Sequence, residues 1–211
     1  VLKFLEQGMA QDEEVLVVSR KAFEEAGAFN GLALDTQKYI DKVFAPGVPR
    51  FMPRPLAEKD PSFKQLIPYV IMTCDGKYLS YVRGNRAGET RLVAKRSLGI
   101  GGHINPVDWT LFTAEPYKTY LQAVEREVAE EVEIQTTYKD KIIAFLNDDS
   151  NEVGKVHLGI VHLWTLEEPK VSRREQMITQ MEFLNITELQ KVREFMETWS
   201  QICLDGLAKM A

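Results

Sequence analysis

A chain of 211 residues with 45% hydrophobic content can bury one substantial core, or a domain with an appendage, in the manner of an ordinary globular protein. Its net charge of -5 disfavours non-specific binding to long nucleic acids, which needs a basic field. The two cysteines, Cys74 and Cys203, stand far apart in no CxxC or zinc spacing, so the expectation is no disulfide and a reducing, cytoplasmic setting.

In chain order, the opening "VLKFLEQGMAQDEE" lacks a basic segment followed by a long apolar core and cleavage site, so a secretory leader is not expected. No apolar run approaches the roughly 18 to 20 residues of a membrane span. A strand, "EVLVVS", precedes a helix-like "RKAFEEAG" and, after a Gly/Asn break, a second helix-like stretch, "DTQKYIDKVF". Residues 45–61 hold five prolines, which deny backbone donors and predict a connecting loop or strap. The expected division is an N-terminal α/β extension with its Pro-rich connector at 1–62 and a second domain, C-terminal helix included, at 63–211. The extension is read as a homodimer interface or a lid over the substrate.

Beyond residue 62 the strands "QLIPYVIMTC" and "YLSYVR" flank a "DG" turn, and a polar turn, "GNRAGET", leads into "RLVAKRSLGIGGHI". After an acidic segment come "KIIAFLND", a polar loop "DSNEVGK", "VHLGIVHLWTL", "MEFLNI" and a C-terminal helix from about Thr187 to Met210. Strands mixed with two or three helices predict an α/β fold in which helices cover a sheet. His157 and His162 are an odd number apart on one strand, face opposite sides and cannot form a joint metal pair. Arg83, Arg86, Arg91, Lys95 and Arg96 form a basic stretch that either steers phosphate or lines a solvated hairpin.

The segment "LQAVEREVAEEVEI", Leu121 to Ile134, places five glutamates within nine residues. As a helix it puts Glu127, Glu130 and Glu131 within about one quadrant, at i, i+3 and i+4. Leu121, Val124, Val128 and Val132 form an apolar stripe beside them. Like charges so placed repel, and a hard divalent cation relieves the repulsion. An all-carboxylate site favours Mg²⁺ or Mn²⁺, and Mg²⁺ takes substrate phosphates among its remaining ligands. At i,i+4 from Glu130, Arg126 would orient a carboxylate rather than touch phosphate.

The order REVAEE behind "GIGGH" resembles the Nudix box, Gx5Ex7REUxEExGU with U aliphatic, through Arg126, Glu127, Val128, Glu130, Glu131 and Ile134, with Gly102 in place of the first glycine. The resemblance covers about residues 65 to 190. It departs at Lys118, where the box has glutamate, at Glu133, where it has glycine, and in a span from Gly102 to Ile134 ten residues longer than the pattern. Glu115 would replace the missing acid if the loop folds back. The resemblance implies a Nudix α/β/α sandwich with a mixed sheet, and a pyrophosphohydrolase that cleaves a phosphoanhydride of a nucleoside diphosphate linked to another moiety, or of a related diphosphate. Its small-molecule substrate would be a nucleotide, with neither membrane nor long nucleic acid as partner. Glu127, Glu130 and Glu131 are then the metal ligands, Glu127, Glu130 and Arg126 the catalytic group, and Gly101, Gly102 and His103 the substrate contacts. For the glycines a tight turn ending a strand is as good a reading, and His103 either reaches substrate or satisfies a backbone carbonyl. Glu152, Glu175 and Glu182 are candidates for a further acid. The rival expectation, carried by Lys118 and Glu133, is a catalytically inactive ligand-binding or sensor module.

Overall fold

The computed structural model describes residues 13–84, 95–108, 115–174 and 178–210. The N-terminal elements are β1 (Glu14–Ser19), α1 (Arg20–Glu25), β2 (Gly31–Ala33), α2 (Thr36–Val43), β3 (Arg50–Pro53) and α3 (Arg54–Ala57). Then come β4 (Phe63–Cys74), β5 (Lys77–Arg83), β6 (Arg96–Ser97), β7 (Gly99–Ile100), α4 (Pro116–Glu131), β8 (Val132–Ile134) and β9 (Tyr138–Asn147). The chain continues through α5 (Glu152–Lys155), β10 (His157–Leu166), β11 (Val171–Arg173), β12 (Ile178–Leu184), α6 (Ile186–Lys191) and α7 (Thr198–Met210). Strand order in the main sheet is β12-β5-β4-β10-β9-β2, with β1, β3, β6 and β7 joined off that path and β11 paired with β8 separately.

The chain divides into two compact units, and β4, α4, β9 and β10 each contribute residues to both. The first comprises 1–67, 102–124 and 145–160. Here β1 pairs antiparallel with β3 and β4, and Val15, Val17 and Ala57 form a core patch with Met52 and Phe63 against it. A run of aromatic contacts, Phe23–Phe29–Tyr39–Phe145, spaces its ring centroids 5.4, 5.2 and 5.3 Å apart. In the same unit the fully buried Lys64 ammonium donates to Asp149 at 3.0 Å and to the carbonyls of Gly154, Lys155 and His157.

The second unit comprises 68–101, 125–144 and 161–211. Its β4–β5 hairpin turns through Asp75 (φ 50°) and Gly76 (φ 72°), the left-handed pair that a two-residue hairpin of the "DG" type demands. α7 buries Ser200, Cys203, Leu204, Gly206, Leu207 and Met210, and polar groups help to seat it: Tyr69 Oη donates to Glu197 at 2.6 Å, Ser200 Oγ donates to the same carboxylate at 2.7 Å, and Leu98 N donates to Ser200 Oγ at 2.8 Å. Glu197 also accepts from the backbone N–H groups of Trp199 and Ser200, capping the helix that Thr198 begins. Ser200→Ala is therefore expected to cost about 1–3 kcal/mol in urea denaturation, because it leaves the buried Leu98 N–H without its acceptor.

Three local expectations are corrected. The Pro-rich 45–61 is not wholly irregular but contains β3 and α3: among the described residues β3 pairs with β1 alone, so Pro53 deprives no second neighbour, and Pro55 sits in the first turn of α3, where a backbone N–H would have no intrahelical acceptor and proline's lack of one costs no helix bond. The C-terminal helix is broken between Lys191 and Thr198, and α6 starts from a capping box of Asn185 and Glu188. The acidic helix stops at Glu131, and Val132–Ile134 pair with Val171–Arg173 as a strand, which suits two β-branched residues that alternate with a polar one.

Candidate active site

Glu127, Glu130 and Glu131 occupy the last turn and a half of α4. Arg126 Nη1 donates to Glu127 Oε1 at 2.8 Å and to Glu130 Oε1 at 3.1 Å, so one guanidinium braces two of the three carboxylates. The Glu127 side chain is 14% exposed and that of Glu130 60%, while Glu131 is buried at 7%. Burial pushes the Glu127 carboxyl up to about 7; Arg126 pulls it down, and the charges of Glu130 and Glu131 push it up again. Glu131 lies within electrostatic reach of Tyr81 and Arg83. The Arg83 guanidinium stands 5.6 Å from the centre of the Tyr81 ring, and the Tyr81 hydroxyl, with Glu197 and Glu131, holds its pKa above the usual value against the opposing effect of burial. Sequence reasoning did not find this neighbourhood, although the alternation in "YLSYVR" that puts Tyr81 and Arg83 on one face was a readable signal.

The two remaining glutamates of the segment are engaged elsewhere. Glu125 accepts from the Tyr138 hydroxyl at 2.7 and 2.9 Å, and Glu133 sits in β8 opposite Ser172. Lys118 pairs with Glu115 at 3.1 Å, and both side chains are exposed. Of the further acids, Glu152 pairs with Lys155 and Glu182 with Arg96 at 3.1 Å; Glu175 lies outside the described residues, as do Arg86 and Arg91. Arg96 is buried at the start of β6 rather than solvated. His162 is fully buried with Nδ1 2.8 Å from Asp140, whereas His157 holds the Val153 carbonyl at 2.6 Å.

Gly101 belongs to the unit of Glu127, Glu130 and Glu131, and Gly102 and His103 to the other. A Cβ on Gly101 would lie 1.7 Å from the Pro68 carbonyl oxygen, a close approach that only glycine permits. Gly101→Ala is expected to destabilise by at least about 1–3 kcal/mol, read as a lowered thermal midpoint, because backbone has to move to admit the methyl. His103 is half-buried, and burial, with smaller effects from Arg54 and His157, pushes its pKa down to about 3, so the ring is neutral at physiological pH.

Whether these residues suit a divalent cation is decided by donor chemistry. Three carboxylates at i, i+3 and i+4 offer hard oxygen donors, and a carboxyl raised to about 7 by burial and like charges is one that a cation returns to its ionised form. Among the described residues no group of three or more His, Cys, Asp or Glu is already gathered around a single point. The donor set fits by its chemistry, while Arg126 holds Glu127 and Glu130 to itself in their present rotamers.

The fold and site define an α/β protein in which a glycine turn is followed by an arginine-braced acidic helix. No family model matches the chain. It is 34% identical over 207 residues to Protein YmaB of Bacillus subtilis (strain 168), covering 93% of this chain and 98% of the relative. The crystal structure of Tm1382, provisionally classed as a Nudix hydrolase, is 30% identical and superposes with a TM-score of 0.78 over 94% of this chain and all of the other. A bifunctional NMN adenylyltransferase/ADP ribose pyrophosphatase from Francisella tularensis, solved with AMP and a manganese ion, shares the fold over 70% of this chain and 42% of its own, with 16% identity and a TM-score of 0.50. The chain belongs to the Nudix hydrolase family. Its class is that of the Nudix-type pyrophosphohydrolases, and the expected α/β/α fold with a mixed sheet is borne out. No described helix is long and apolar enough to cross a membrane.

Proposed function

We propose that this protein is a Mg²⁺- or Mn²⁺-dependent hydrolase that cleaves a phosphoanhydride bond of a nucleoside diphosphate linked to another moiety, or of a related diphosphate. The observation that carries the reading is the bracing of Glu127 and Glu130 by Arg126 on one turn of α4, with Glu127 desolvated beside two like charges. In this reading Glu127, Glu130 and Glu131 hold the cation, which when bound neutralises phosphate oxygens and acidifies water. Glu127, ionised when the cation is bound, would hold the attacking water in line with phosphorus and accept its proton. Arg126 keeps the two carboxylates it bridges in place and does not itself reach phosphate. Gly101, Gly102 and His103 are assigned as substrate contacts on the family resemblance alone. The Francisella tularensis neighbour, with its AMP and manganese, holds the class of ligand assigned here, and that supports the reading by analogy of fold alone.

A panel of nucleoside-diphosphate conjugates and simple diphosphates, assayed with Mg²⁺ and with Mn²⁺, tests it, and turnover of at least one member is expected. Lys118, paired with Glu115 where the family pattern has an acid, favours one alternative, a ligand-binding module without catalysis. Calorimetric binding of a panel member with no product formed would select that alternative. Residues 1–62 are carried in this reading as an extension to a catalytic domain at 63–211. A cytoplasmic setting, which the two free, buried cysteines support, and self-association are assigned on the same footing.

A further inference from the structure

Of the three histidines in the chain, His162 is fully buried with Nδ1 at Asp140, and the other two, far apart in sequence, come together in the first unit. The ring of His103 lies 5.9 Å from that of His157, centroid to centroid, with the planes 56° apart, and both residues are half-buried, so neither is sealed from solvent. Two imidazoles bound to one metal ion at about 2.0–2.1 Å per nitrogen place their ring centres roughly 4.5 to 6.4 Å apart, depending on the angle at the metal. The observed spacing falls inside that range. Both backbones are anchored: His157 opens β10 and its carbonyl accepts from Lys64 Nζ at 3.2 Å, while beside His103 the fully buried Ile104 accepts from Leu16 N at 2.9 Å.

His157 Nδ1 stands 2.6 Å from the Val153 carbonyl oxygen, which can only accept, so a neutral ring carries its proton on Nδ1 and its lone pair on Nε2. A carbonyl on one ring nitrogen fixes the tautomer of metal-binding histidines in the same way. Arg54, the cation that acts on His103, is matched by Glu13 at 2.9 Å and Glu58 at 2.8 Å, so the surroundings carry no uncompensated positive charge to repel a metal ion.

We infer that His103 and His157 form a two-histidine site for a late first-row transition metal ion, Zn²⁺, Ni²⁺ or Cu²⁺, with water in its remaining positions. The site differs from the carboxylates of α4 in its residues and in its donors, because imidazole suits these ions and carboxylate oxygen suits Mg²⁺ and Mn²⁺. It goes beyond the phosphoanhydride reading and does not rest on it; a metal on His103 would compete with any substrate contact at that ring.

The test uses the full chain without a histidine tag and takes Cu²⁺ as the probe, since that ion heads the affinity order on such donors. Electron paramagnetic resonance counts the imidazole nitrogens on the bound ion, and titration gives its affinity. Wild type is expected to show Cu²⁺ carrying two imidazoles. His103→Ala and His157→Ala are each expected to leave one and to bind at least about tenfold more weakly, whereas Glu127→Gln combined with Glu130→Gln keeps the two-imidazole signal. Circular dichroism without metal checks that each variant is folded, and where an alanine variant is not, His103→Gln or His157→Gln is read in its place. A wild-type spectrum with fewer than two imidazoles overturns the proposal whatever the variants do. So does a two-imidazole spectrum that survives either histidine substitution, which would bring in His162, or one that vanishes in the glutamate variant. None of these readouts depends on turnover, so failure here leaves the phosphoanhydride reading standing.

Discussion

Glu127→Gln is expected to lower kcat toward a diphosphate substrate on the order of 10²–10⁴-fold at neutral pH, with the thermal midpoint near that of wild type. Glutamine keeps the length of the side chain and can still accept from Arg126, so the brace at 2.8 Å has a replacement partner. It can neither take a proton nor offer a charge to a cation, whereas desolvation and the neighbouring acids raise the tendency of Glu127 to take up one or the other. Glu130→Gln removes a carboxylate four times more exposed and is expected to cost less, about 10–100-fold. Steady-state kinetics at saturating Mn²⁺ separate the two variants. A Glu127→Gln enzyme with wild-type kcat would move the chemistry off α4 altogether.

Asp149→Ala is expected to destabilise the protein by about 3–5 kcal/mol, towards the lower figure because the Asp149 side chain is 37% exposed and screened by solvent. The loss arises at Lys64, whose side chain is fully buried and whose ammonium would keep only the three carbonyls for company. Arg20, held to Asp149 through both terminal nitrogens at 3.2 Å, would lose its carboxylate as well. Burial tends to raise the Asp149 pKa, but hydrogen bonds from Arg20, Lys64 and Asn147 outweigh it and hold the carboxyl down at about 2, against an ordinary 3.8. Between those values the unfolded chain binds more protons than the folded one, so stability falls as pH falls. The contribution is therefore complete above about 4 and is lost as pH drops through about 2. Urea denaturation across this range should show a steep acid limb in wild type and a shallower one in Asp149→Ala. Identical limbs, with equal stability at pH 7, would show that the ion pair contributes nothing.

Much of the fold was legible because its signals are local. "EVLVVS" and "RKAFEEAG" become β1 and α1, and "DG" between apolar runs becomes a left-handed hairpin turn, each from propensity and backbone sterics within a few residues. The Pro-rich segment was misread because proline's cost depends on which neighbours a strand has, and β3 has only β1. In the acidic segment the order of residues placed Glu127, Glu130 and Glu131 on one helical edge and set Glu125 and Glu133 apart from them. Where the helix ends was not readable, since Val132 and Ile134 continue the apolar pattern and only the partner strand β11 makes them a strand.

What this sequence determined by itself is the identity and angular spacing of the carboxylates, the position of the glycine turn before them and the family to which both belong, because helical geometry follows from residue number alone. Tertiary structure decided how those groups differ in character. It half-buried Glu127 and buried Glu131 while leaving Glu130 in water, closed Pro68 against Gly101, and left the buried amide of Gln65 without a partner among the described residues. Desolvation, close approach and hydrogen-bond satisfaction depend on residues tens of positions away in the chain, and no local pattern encodes them.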